Sequence, residues 1–192
     1  MTHRFKKTCY NTEELLSGVD TLSKFMRQVE AQCTQYPHRF SPEVYKGDAF
    51  EAFIEVLIKA SPIDPRINIV QYQPIKRSGD WGVDGAGLCH DLVTPHTVQA
   101  KYRSNAASVL TANEDHISNF VAHSTTSRKY RGANGEQPRM TLFTTAKELH
   151  RKVRDHMYEK NVRVIGYRDL KAFVDHNDAF WTRFRKEIGF KG

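Results

Sequence analysis

The chain has no apolar run approaching the ~20 residues that a membrane-spanning helix needs. Its first residues, MTHRFKKTCYNTEE, lack the apolar segment of a secretory signal. An intracellular, non-secreted protein with no membrane partner is therefore expected, cytoplasmic or associated with nucleoid or nucleus. Cysteine is scarce. Cys9, Cys33 and Cys89 are odd in number and far apart, which fits neither a disulfide framework nor a CxxC zinc site. Cys89, His90 and His96 are spaced irregularly and lack a fourth ligand, which argues against zinc. Repeats, low-complexity tracts and a Walker A motif are all missing, so the sequence carries no motor of its own.

What is present is a globular composition. Of 192 residues, 39% are hydrophobic and 27% charged, which is enough to build a core. Lys and Arg number 29 against 22 acids, a net charge of +7. That excess favours polyanionic partners such as DNA, although charge alone names none.

Residues 12–33 place Leu15, Val19, Leu22, Met26 and Val29 at helical spacing, with Asn11 or Thr12 as cap. TQYPHRFSPEVY reads as a linker. Residues 1–40 are thus expected to form an N-terminal helical extension to a domain over 41–192. In GDAFEAFIEVLIKA, Phe50, Phe53, Ile54, Leu57 and Ile58 form one apolar helix face. RINIVQYQPI reads as a strand and GDWGVDGAGLCHDLVTPHTVQAKYRS as a hairpin turning near Leu92–Thr94. Weak helical spacing over 106–123 is followed by a polar stretch, STTSRKYRGANGEQPR, read as a flexible loop. MTLFTT is a strand, AKELHRKVRDHMYEK a helix, VRVIGY a strand, and the last segment a helix, turn and helix. Strands separated by helices imply an α/β fold with a central mixed sheet flanked by helices.

Alternation along TVQAKY puts Gln99 and Lys101 on one face, with Val98 and Ala100 suited to the core. Asp84 lies on the partner strand, among Gly82, Gly85 and Gly87. Glycines there leave room for another backbone, a phosphodiester being one candidate. Asp84, Gln99 and the Ala100 carbonyl offer hard oxygen ligands suited to Mg²⁺. Lys101 can orient a water or stabilise charge on phosphorus. On the helix, Glu51 sits about 100° from Phe50 at the border of the apolar face, with Glu55 a turn further as second choice. Each residue also has a plain reading: Asp84 and Asp80 as turn formers, Gln99 and Lys101 as ordinary strand polars, Glu51 as a solvated acid. Arg128, Lys129 and Arg131 surround Tyr130 either in a solvated loop or as contacts to a DNA backbone.

Taken together, Gly47-x-x-Phe50-Glu51, Gly79-Asp80-Trp81-Gly82-Val83-Asp84-Gly85 and Val98-Gln99-Ala100-Lys101 resemble the PD-(D/E)XK nuclease superfamily, and within it the Mrr-like restriction endonuclease branch with its QxK motif. The likeness covers roughly residues 45–175. It implies a restriction-endonuclease-like core and Mg²⁺-dependent hydrolysis of DNA, with Mn²⁺ as substitute metal. Asp84 would be the main metal ligand, Gln99 would replace the usual acid, Lys101 would be the catalytic lysine, and Glu51 would supply the helix acid. Ala100 would add its carbonyl. Lys76, Arg77, Arg103, Arg128, Lys129 and Arg131 would contact DNA. A homodimer, or a helicase or other motor as partner, would suit such a module. The amide at 99 departs from the superfamily pattern and leaves open a catalytically weak or inactive DNA-binding module.

Overall fold

The computed structural model describes residues 2–36, 41–60, 66–67, 69–75, 82–104, 109–111 and 115–189. Contacts divide the chain into two units, residues 1–64 with 168–192, and residues 65–167. None of the described helices is long and apolar enough to cross a membrane.

The first unit contains α1 (Thr2–Thr8), α2 (Thr12–Leu16), α3 (Leu22–Gln35), α4 (Pro42–Lys59), most of α7 (Tyr167–Val174) and α8 (Asp178–Ile188). The single helix expected over 12–33 is two. Asn11 caps α2 through its side chain, as the sequence suggested, but the helix stops at Leu16. Gly18 then takes φ 64°, a left-handed turn that glycine adopts without strain. The Thr21 hydroxyl restarts the helix by accepting from Lys24 N–H.

α4 begins earlier than its apolar pattern indicated. Ser41 caps it and Pro42 fits the first turn, where its missing N–H costs nothing. The helix is buried over most of its circumference, not on one face, because α1, α3 and α8 all pack on it. The sequence reading set residues 1–40 apart as an extension. In the structure they share a unit with α4 and the C-terminal helices: Asp175 Oδ1 accepts from Leu22 N–H at 2.9 Å, and Asp20 O accepts from His176 N–H at 2.8 Å. The core of this unit is aromatic. Phe25 stacks on Phe53 with ring centres 5.3 Å apart, and Phe180 and Phe184 meet Phe53 edge-on.

The second unit is built on a five-stranded mixed sheet, so the chain has an α/β core. Its strands are β1 (Val70–Pro74), β2 (Gly85–Leu88), β3 (Pro95–Lys101), β5 (Arg139–Thr144) and β7 (Val162–Ile165), in the order β1-β2-β3-β5-β7. β1–β2–β3 are antiparallel; β3, β5 and β7 run parallel. Parallel neighbours need crossovers, which α5 (Asp115–Thr126) and α6 (Arg151–Glu159) supply. Both pack on one face through Ile117, Phe120, Val121, Val153 and Met157 against Met140, Leu142 and Val162. Short strands β4 (Val109–Leu110) and β6 (Glu148–Leu149) pair beside them.

Candidate functional site

The hairpin that carries the site is set by its turn. Asp91 Oδ1 accepts from the N–H groups of Val93 and Thr94 at 2.9 and 2.8 Å, and its Oδ2 accepts from the Thr94 hydroxyl at 2.7 Å. These bonds, the Thr94 hydroxyl first, hold the Asp91 carboxyl down at about 2. With the turn at the expected place, the register pairs Gly85 with Val98 and carries Asp84 to the C-terminal end of β3.

Asp84 is pinned there through three groups. Its N–H donates to Val98 O at 2.9 Å, its carbonyl accepts from Ile75 N–H at 2.9 Å, and its Oδ2 accepts from Ala100 N–H at 2.7 Å. The carboxylate thus takes over the ladder where backbone pairing ends. Peptide groups along a strand alternate sides. Val98 O and Ala100 N–H turn toward β2, while Lys101 O accepts from Thr145 N–H at 3.2 Å beyond β5. By the same alternation, the Ala100 carbonyl lies on the Asp84 side.

The faces of β3 differ from the sequence expectation. Gln99 was expected to project away from the core, yet it is only 1% exposed. Both faces of β3 are buried, with His96 and Val98 on one and Thr97 and Gln99 on the other, where α5 crosses the sheet. Gln99 sits opposite Leu142 on the α5 side, two residues from Thr97, whose hydroxyl donates to Ser124 Oγ at 2.9 Å. Lys101 is half-buried at the strand end. The glycine reasoning also needs correction: the space above Gly85 is taken by the Tyr72 ring from β1, so the close neighbour is this chain's own strand.

Two threonines that the sequence reading passed over lock this end of the sheet. The Thr144 hydroxyl donates to Lys101 O at 2.9 Å. Thr145 Oγ1 accepts from Arg103 N–H at 2.6 Å and donates to Arg103 O at 3.0 Å. The signal was the Thr-Thr pair at the end of the strand MTLFTT.

Glu51 lies half-buried on α4, in the first unit, whereas Asp84, Gln99, Ala100 and Lys101 all belong to the second. Glu55, the second-choice acid, is committed elsewhere. It is 2% exposed and accepts from Lys59 Nζ at 2.5 Å and Thr2 N–H at 2.8 Å. Burial pushes its carboxyl upward, but these donors outweigh burial and hold it below the usual value.

Lys76 and Arg77, and Asp80 with them, lie outside the described residues. Arg128, Lys129 and Arg131 are exposed. The stretch around them, expected to be a flexible loop, is ordered by its own bonds. Arg128–Tyr130 form a 3₁₀ turn capped by Ser127, Tyr130 is buried as an anchor, and Gly132 N–H donates to Glu136 O at 3.0 Å. Arg131 Nη2 donates to Thr125 O at 3.1 Å. Arg103 is half-buried, its Nη1 turned back to Tyr102 O at 2.8 Å; desolvation lowers its pKa.

Among the described residues no three His, Cys, Asp or Glu side chains gather as a metal cluster. The Asp84 carboxylate, held on Ala100 N–H, and the Ala100 carbonyl on the same side of the strand are oxygen donors, while the Gln99 amide is buried on the α5 side. Such oxygen donors suit a hard divalent cation, with one charged ligand instead of two. Of the three residues weighed for zinc, Cys89 Sγ meets His96 Nδ1 at 3.6 Å and His90 is exposed.

No protein-family model matches the chain, and no curated protein matches it either. Among solved structures, the crystal structure of protein VC1899 from Vibrio cholerae aligns with a TM-score of 0.46 and 12% identity, over 95% of this chain and 53% of that one. The chain thus spans about half the length of that protein.

Proposed function

We propose that the chain is a metal-dependent DNA endonuclease whose centre is the Asp84 end of β3. The observation that carries this reading is the bond from Ala100 N–H to Asp84 Oδ2 at 2.7 Å, which fixes a carboxylate at the backbone of the residue that separates Gln99 from Lys101 in the chain. A Mg²⁺, or Mn²⁺ in its place, would supply water activation and offset charge gathering on phosphorus if held there. Asp84, the Ala100 carbonyl and the Gln99 amide oxygen would hold it, and Glu51 is the further acid named by the resemblance.

Lys101 stabilises the extra negative charge on the phosphoryl oxygens as a water oxygen bonds to phosphorus and a sugar oxygen leaves. Exposed Arg128, Lys129 and Arg131 hold DNA through its phosphates, giving salt-sensitive affinity. The net charge of +7 supports a polyanionic partner. Two copies, or a partnered motor, would let one centre per chain reach both strands.

The same Asp84–Ala100 bond favours a second reading, in which the carboxylate only closes the strand end and the chain binds DNA without cutting. Incubating the chain with plasmid, branched and single-stranded DNA, with and without Mg²⁺ or Mn²⁺, separates the two. Metal-dependent cutting that Lys101→Ala abolishes, with DNA binding retained, is expected. Binding without cutting under every metal condition selects the second reading, and undiminished cutting by Lys101→Ala removes Lys101 from the mechanism.

A further inference from the structure

The opposite end of the sheet holds polar residues that the Asp84 centre does not use. Register partners in a parallel sheet share a face. His96 pairs with Arg139 and Thr141 with Arg163, so these four side chains lie side by side on one face. They line a cavity of about 700 Å³, together with Asn161 and Tyr158. That volume is within the ~300–1,000 Å³ of small-ligand sites. His96 is five residues before Lys101, about 16 Å away along an extended strand, so the cavity is separate from the Asp84 centre.

The lining has a definite chemistry. Two guanidinium groups stand against a single carboxylate, Glu159. Arg163 is steadied in the wall by donating from Nη1 to Arg66 O. The floor is polar: His96 Nδ1 lies 3.6 Å from Cys89 Sγ, and His96 Nε2 lies 2.8 Å from Thr141 Oγ1. At the rim, Tyr158 is 88% exposed, an aromatic ring that folding has left uncovered.

Paired arginines favour a phosphate, and an uncovered tyrosine favours a flat base. We propose that this cavity binds a nucleoside monophosphate unit, with its phosphate between Arg139 and Arg163 and its base on Tyr158. The unit is either a free nucleotide or the 5′-phosphorylated end of a strand, which present the same chemistry. The site stands whether or not the chain cuts DNA.

Calorimetric titration of the full chain with adenosine 5′-monophosphate, inorganic phosphate, adenosine, and a short oligodeoxyadenylate with and without its 5′-phosphate tests it. The monophosphate is expected to bind, adenosine far more weakly. Arg139→Ala and Arg163→Ala each weaken the monophosphate about tenfold. Tyr158→Ala, fully on the surface and harmless to folding, weakens the monophosphate severalfold and leaves inorganic phosphate unchanged. Binding of the 5′-phosphorylated oligonucleotide with the same arginine dependence identifies a strand end as the source; binding of the free nucleotide alone identifies a diffusible one. No monophosphate binding at millimolar concentration, equal binding of adenosine, or full affinity in a folded Arg139→Ala/Arg163→Ala double variant overturns the proposal.

Discussion

The two units solve the problem of a core differently. Among the described residues, the first, whose core is an aromatic cluster, buries three polar side chains, Gln32, Asp48 and Glu55. The second buries seven: His96, Thr97, Gln99, Ser124, Thr141, Thr144 and Thr145. An apolar core tolerates small shifts, but a buried hydroxyl or amide must keep its partner within hydrogen-bond reach. The second unit therefore spends packing freedom on position. That is where Asp84, Lys101 and the arginine-lined cavity stand.

The largest effect expected from this contrast is in the aromatic core. Phe53→Ala removes a ring that touches Phe25, Phe180 and Phe184, and should cost about 3–5 kcal/mol in urea unfolding. A cost below about 1 kcal/mol would mean that the cluster is not what holds the first unit. Next comes Asp84→Asn. The amide oxygen still accepts from Ala100 N–H, so folding is retained, while the cleavage proposed above should fall about 100–1,000-fold, about 3–4 kcal/mol of barrier. Thermal melts alongside cleavage rates check both halves.

In the polar lattice, Thr97→Val keeps the shape but strips Ser124 Oγ of its donor. It should cost about 1–3 kcal/mol, more than an exposed Thr→Val. The smallest effects are in acid. Glu55 is held below its ordinary value of 4.5, so the stability it lends the first unit is complete above that pH and drains as pH falls through the folded value. Asp91, ordinarily at 3.8 and held at about 2, serves the second unit's hairpin over a lower window, complete above 3.8 and lost as pH nears 2. Melting curves taken from pH 7 down to below pH 2 should show Glu55→Gln approaching the parent protein as pH falls below 4.5, and Asp91→Asn approaching it as pH falls through about 2. A gap between variant and parent that does not narrow with acid would contradict the assignment of partners.

The fold was legible where periodicity and turn chemistry agreed. The hairpin turn at Leu92–Thr94, the strand MTLFTT, the strand VRVIGY and the helix–turn–helix at the end all stand where their patterns put them. Asn11 was readable as a cap because its side chain has an acceptor next to an apolar-periodic run. The break at Gly18 was hidden, since Leu15, Val19 and Leu22 keep helical spacing across it. Burial around α4 was hidden too, because how many neighbours a helix acquires is a tertiary fact. At the candidate site, the residue types and the order of Asp84, Gln99 and Lys101 were visible. The burial of Gln99 was not, for it depends on α5, some twenty residues further on, crossing that face of the sheet. Tyr72 over Gly85 escaped because it depends on the irregular register of β1 against β2.

The most direct test is a calorimetric titration of Mn²⁺ into the parent protein and into Asp84→Asn. One cation site should be present in the parent and absent from the folded variant. Matching isotherms for the two would contradict a cation held at the Asp84 end of β3.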